Sequence, residues 1–175
     1  TSGSTWKNDE HYAIGATYVT DMGDTALTIG TGYSTTGGSI TGTTPTTEEN
    51  SVHFGISAVT GDLTVAVGFA DGDKVTGDST TVEVDAEVVK AGVKYVSGDI
   101  TMNVGVVSGS AIDNIFAGTD TLEDSHDEVN ASVTYAVASG VSAVLGYTTV
   151  DQQDEGSSDE SSGGSAWYIG ATMSF

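Results

Sequence analysis

Nine stretches of this chain alternate with period two, each with its larger apolar residues on one face and small or polar residues on the other. In chain order the apolar faces are Tyr12/Ile14/Ala16/Tyr18, Leu27/Ile29/Thr31/Tyr33, Val52/Phe54/Ile56/Ala58, Leu63/Val65/Val67/Phe69, Val89/Ala91/Val93/Tyr95, Ile100/Met102/Val104/Val106, Val129/Ala131/Val133/Tyr135, Val141/Ala143/Leu145/Tyr147 and Trp167/Ile169/Ala171/Met173/Phe175. The opposite faces carry sets such as His53/Gly55/Ser57, Thr101/Asn103/Gly105 and Asn130/Ser132/Thr134. Eight of the nine place a glycine there: Gly15, Gly30, Gly55, Gly68, Gly92, Gly105, Gly146 and Gly170. Side chains on a strand point alternately to its two sides, so a chain that repeats this pattern nine times is committed to a sheet with one oily and one wet side.

Composition agrees with an all-β fold. The 175 residues form one domain, residues 1–175, and 37% hydrophobic with 17% charged residues is too apolar for a disordered chain. Twenty-four glycines, one proline and abundant Thr, Ser and Val favour strands joined by turns. No apolar run approaches the roughly 18 residues of a spanning helix, so entry into a membrane requires strands in a closed barrel. Cysteine is absent, which excludes disulfides, thiolate catalysis and cysteine metal sites. The start, Thr1-Ser2-Gly3-Ser4-Thr5-Trp6, carries neither an initiating Met nor a signal peptide, so the chain is expected to be mature, processed or incomplete.

The connections alternate short and long. Asp21-Met22-Gly23-Asp24, Gly61-Asp62, Ser97-Gly98-Asp99 and Ala138-Ser139-Gly140 have the Gly and Asp of tight hairpins. Long polar loops are expected over Thr35–Asn50, Asp71–Glu87, Gly109–Asp127 and Asp151–Ser165. Tight turns at one end and long loops at the other describe an antiparallel up-and-down meander whose ends face different surroundings, as in a transmembrane β-barrel. The aromatic residues sort accordingly. Tyr18, Tyr95, Tyr135 and Phe175 fall at the short-turn end; Tyr12, Tyr33, Phe54, Phe69, Tyr147 and Trp167 fall at the long-loop end. Two aromatic rows flanking an aliphatic belt, on segments of about 9 to 11 residues, suit the two interfaces of a bilayer.

On these features the chain resembles the Gram-negative trimeric porins, and within them the Rhodobacter-type alphaproteobacterial general porins. The strands with a central glycine (Ile14-Gly15-Ala16-Thr17-Tyr18, Val144-Leu145-Gly146-Tyr147, Tyr168-Ile169-Gly170-Ala171), the Asp/Gly turns, the acidic loops and the terminal Phe175 carry the likeness. The resemblance implies an outer-membrane homotrimer in contact with lipid and lipopolysaccharide, and a closing strand read by the barrel-insertion machinery through Phe175. The family barrel has about 16 strands, and single-chain bacterial barrels have an even number. An odd count of nine therefore predicts the C-terminal part of a longer porin, with residues 1–10 the tail of an extracellular loop.

Charge and chemistry follow from the same phasing. With 25 acidic and 4 basic residues the net charge is −21, which excludes a nucleic-acid partner and favours cations at the mouth. Much of the acid lies in Asp120/Glu123/Asp124/Asp127 and Asp151/Asp154/Glu155/Asp159/Glu160. Such carboxylates suit either a solvated surface or Ca²⁺ and Mg²⁺ held beside lipopolysaccharide phosphates, although their spacing matches no defined calcium loop. His11, His53, Lys90, Lys94, Asn103 and Asn130 phase to the polar face and are candidate pore-lining residues. Lys90 and Lys94 are about 13 Å apart along their strand and form either a basic strip or partners for acids across a lumen. His11 and His53 lack a carboxylate at ligand spacing, so solvated lumen histidines are favoured over a metal site. No GxSxG, HExxH, Walker or GxGxxG pattern occurs in a suitable setting, so no catalytic residue is assigned and the expectation is a non-enzyme. The functional expectation is a cation-preferring channel for passive diffusion of ions and small hydrophilic solutes. The alternatives are a closed barrel acting as adhesin, anchor or autotransporter translocator, and a soluble calcium-dependent β-sandwich.

Overall fold

The computed structural model describes residues 5–41, 46–77, 81–114, 121–154 and 160–174. Apart from four two-residue turns and Ser174, every described residue lies in a strand. The nine strands are β1 (Thr5–Met22), β2 (Thr25–Thr41), β3 (Thr46–Thr60), β4 (Leu63–Gly77), β5 (Thr81–Ser97), β6 (Ile100–Asn114), β7 (Thr121–Ala138), β8 (Val141–Asp154) and β9 (Glu160–Met173). Each pairs antiparallel with its neighbours in sequence, giving one nine-stranded sheet in the order β1 to β9.

The four tight turns form where turn chemistry predicts them. Gly23, Gly61, Gly98 and Gly140 take positive φ of 66°, 56°, 57° and 75°, which a side chain disfavours and a two-residue hairpin requires. Three turns are also tied sideways: Val96 N–H donates to the Asp62 carbonyl, Ala136 N–H to Asp99 and Ser174 N–H to Gly140, at 2.8–2.9 Å.

The register brings the independently phased apolar faces together. Ile29 pairs with Ile56, Phe54 with Phe69, Val65 with Val93, Val93 with Val104, Met102 with Val133, Leu145 with Ile169 and Tyr147 with Trp167. A slip of one residue anywhere would have moved a strand's apolar set to the other side. Two bulges interrupt the ladder, at Asp9 in β1 and Val137 in β7.

No apolar side chain among the described residues is buried. The sheet has the opposite polarity to a soluble layer: in β6, Met102, Val104 and Val106 are exposed while Thr101, Asn103 and Gly105 are half-buried. A single layer exposes its faces so unequally when it curves, because side chains crowd on the concave side. The glycine-bearing face is therefore called inner, and the apolar face outer.

Two sequence-based expectations change. The stretches expected as long loops are mostly strand: β2 and β3 run on to Thr41 and from Thr46, β4 and β5 to Gly77 and from Thr81, β6 and β7 to Asn114 and from Thr121, β8 and β9 to Asp154 and from Glu160. The strands are consequently 14 to 18 residues long rather than about 9 to 11. Hydropathy alternates only where one side faces oil, whereas backbone pairing continues where both sides are wet, so the hairpins outlast the sequence signal. Thr5–Glu10, expected within an extracellular loop, is likewise strand and pairs with Gly37–Thr41 of β2. Phe175 lies outside the described residues.

Candidate functional site

The inner face is assembled by register from residues far apart in sequence. Its middle is a floor of glycine: Gly30 lies beside Gly55 and Gly55 beside Gly68, while Gly92 lies beside Gly105 one step nearer the short turns. Lacking side chains, these positions recess the wall and let neighbours fold across them. The His53 imidazole lies over Gly32, the Tyr168 phenol over Gly146 and the Asn130 amide against Gly105.

All six residues phased from sequence to the polar side fall on this face, which the aligned pairings fix. His11 Nδ1 is 2.8 Å from Thr36 Oγ1, and Thr36 is next to Glu49 in the row. His53 lies opposite Gly32, which lies opposite Gly15, four positions along β1 from His11. The two histidines are thus about 13 Å apart along the strand direction and two strands apart across it, too far to share an ion. Lys90 sits between Gly68 and Val107, Lys94 between Thr64 and Asn103. Asn103 Nδ2 donates to Ser132 Oγ at 3.3 Å.

Several inner-face groups were not singled out from sequence. Lys74 Nζ and Glu49 Oε1 form an ion pair at 2.8 Å, with both side chains about half exposed. Gln152 Nε2 and His126 Nδ1 are hydrogen-bonded at 3.0 Å, His126 Nε2 is 3.9 Å from Glu128 Oε2, and Thr148 Oγ1 makes a long 3.5 Å bond to Glu128 Oε1. Extending the period-two count beyond the apolar belt would have found them, since His126 and Glu128 are in phase with Asn130, and Glu49 with His53. Among the described residues no group of three or more His, Asp or Glu side chains converges as for a metal ion.

On the outer face, Phe54 lies beside Phe69 and Tyr147 beside Trp167, the latter rings 4.7 Å apart. Toward the strand ends away from the tight turns the outer face turns acidic. Asp71 lies directly opposite Glu87, Asp73 opposite Asp85 and Asp127 opposite Asp151. Tyr33 donates to Asn50 Oδ1 at 3.0 Å, and Asn50 Nδ2 donates to Asp73 Oδ2 at 3.1 Å. Lys74, Lys90, Lys94 and all three histidines lie on the inner face, whereas these opposed carboxylates lie on the outer one.

A one-layer antiparallel meander with an oily outside and a wet inside is the wall of an outer-membrane β-barrel protein. Residues 1–155 match the family of Gram-negative porins, and the chain belongs to that family, whose place is the outer membrane. No curated protein sequence matches significantly. Among solved structures, OmpT of Vibrio cholerae expressed in the outer membrane superposes with a TM-score of 0.65 at 13% identity, covering 94% of this chain and 56% of that one. The in-vitro folded, trimer form of the same V. cholerae protein gives 0.60 at 14% identity over 91% of this chain and 56% of that one. The alcaligin outer-membrane receptor FauA of Bordetella pertussis gives 0.56 at 13% identity, over 94% of this chain and 33% of that chain. These likenesses are of fold, and the chain spans little more than half the length of either V. cholerae structure.

Proposed function

We propose that these nine strands form part of the wall of a water-filled channel for passive diffusion of ions and small hydrophilic solutes, in a homotrimeric porin of the Rhodobacter type. The observation that carries this reading is the inner face itself. Around Lys90 and Lys94 its middle is mainly glycine, serine, threonine and asparagine, which leave a lumen open instead of filling it, as a closed anchoring barrel would. The edge strands β1 and β9 run in the same direction, so closing the sheet with antiparallel pairs throughout takes an odd number of further strands. That gives the even total of single-chain bacterial barrels.

In this reading the rows Tyr18/Tyr95/Tyr135 and Tyr12/Tyr33/Phe54/Phe69/Tyr147/Trp167 lie at the two membrane interfaces, the latter beside lipopolysaccharide. Phe175 is the signal for the insertion machinery. His11, His53, Lys90, Lys94, Asn103 and Asn130 line the pore. The net charge of −21 makes the channel cation-preferring, with Lys90 and Lys94 opposing that preference in mid-wall. No side chain has a catalytic role and no cofactor is required.

The test is conductance of the full-length protein in planar bilayers under a salt gradient. Ohmic channels with a reversal potential on the cation side are expected, and Lys90→Glu or Lys94→Glu should raise the cation-to-anion permeability ratio by about twofold. A protein that inserts but never conducts would end the channel reading.

A further inference from the structure

We propose that the inner wall over β5 to β9 carries a binding groove for a small organic cation with an apolar body, an inference that rests on the channel reading for solute access. The groove has a volume of about 620 Å³, within the range of roughly 300–1,000 Å³ typical of small-molecule sites. Ala86 and Val88 of β5 and Val107 and Ala111 of β6 give it an apolar floor, with Gly109 between the last two. A contiguous apolar surface turned toward water on the wet side of a barrel does nothing for membrane insertion, and such patches mark contact sites.

Charge selects the occupant. Asp124 and His126 of β7 and Asp154 at the end of β8 line the groove, and Glu128 lies one inner-face step below His126. The hydrogen bond from Gln152 holds the His126 ring, and Glu128, opposite Val107 on the floor, accepts a long hydrogen bond from Thr148. Lys90, next to Val107, stands at the glycine side of the floor rather than among the groove's lining residues. Carboxylates around an apolar floor repel anions. The described lining contains no aromatic platform for a sugar ring and no three-ligand set for a metal ion. An ammonium head near Asp124 and Glu128 with a hydrocarbon body on Val88, Val107 and Ala111 satisfies both features.

The probe is benzyltrimethylammonium, with tetramethylammonium and benzenesulfonate as controls. Binding to the detergent-solubilised full-length protein is measured by calorimetry, and conductance block in planar bilayers is measured in parallel. Benzyltrimethylammonium should bind about tenfold more tightly than tetramethylammonium, the difference being burial of one ring face. Val107→Ser and Asp124→Asn should each weaken that binding about threefold or more with the fold intact by circular dichroism, and Val107→Ser should leave tetramethylammonium unchanged. Equal binding of the two cations, or Val107→Ser without effect, would overturn the groove. Conducting channels with no discrimination refute the groove alone. Discriminating binding in a protein that does not conduct supports the groove and refutes the channel.

Discussion

Gly61 and Gly140 both sit in two-residue turns at positive φ, 56° and 75°, yet they do not tolerate a methyl group equally. A Cβ on Gly61 would meet nothing within 4 Å, so Gly61→Ala carries only the left-handed backbone penalty, about 1 kcal/mol. A Cβ on Gly140 would lie 2.6 Å from the Ser174 carbonyl oxygen, a backbone atom of the residue whose N–H donates to the Gly140 carbonyl. Gly140→Ala should therefore cost about 2–3 kcal/mol, the same penalty plus overpacking. Denaturant titration of the folded protein in lipid vesicles measures both, and equal losses would contradict the steric account. At Gly146 and Gly32 the intruding atoms belong to the ends of the Tyr168 and His53 side chains, so an added methyl moves a ring instead of the backbone.

At the scale of an element, the β4–β5 hairpin extends past the apolar belt although its outer face sets Asp71 against Glu87 and Asp73 against Asp85. Like charges directly opposed across an antiparallel pair destabilise it. Asp73 has relief from the Asn50 amide at 3.1 Å, so Asp85 is the better position to neutralise. Asp85→Asn should stabilise the hairpin by roughly 0.5 kcal/mol in low salt. The gain should fade toward zero near 1 M salt, where the screening length shrinks to about 3 Å. Amide exchange of Asp71–Gly77 and Thr81–Glu87 at two ionic strengths reads this directly. Slower exchange in the variant at low salt only is the expected outcome.

For the whole molecule, the decisive property is which side faces oil. Val104 is 52% exposed on the outer face and Asn103, its chain neighbour, is half-buried on the inner one. Val104→Lys should cost about 2–4 kcal/mol in a bilayer, as a charge near the midplane does. Asn103→Lys, losing one 3.3 Å hydrogen bond to Ser132, should cost within about 1 kcal/mol. Vesicle unfolding titrations of the pair provide the check, and similar costs would refute the inside-out polarity. The edges belong to this scale too: Ile14 on β1 and Ile169 on β9 are 75% and 86% exposed against 37% for Ile56 within the sheet. In the channel reading these edges are where further strands join the wall.

Strand identity, the side on which each residue lies and the four turns were legible in the sequence, because period-two alternation and glycine at positive φ are local demands met within a few residues. The faces predicted for β1 to β9 one at a time agree in every pairing, since a single bilayer imposes one oily side on all of them. Lateral neighbours were not legible. Nothing local says that Gly30, Gly55 and Gly68 form one floor, that Gln152 holds His126, or that Asp73 opposes Asp85. These depend on register between residues separated by a whole hairpin. Nor could hydropathy show that the strands continue beyond the belt, because both faces are wet there and only backbone hydrogen bonds, carried alike by every residue but proline, hold the pairs together. The sequence by itself therefore determined an inside-out sheet, and the tertiary structure decided what its inner wall holds.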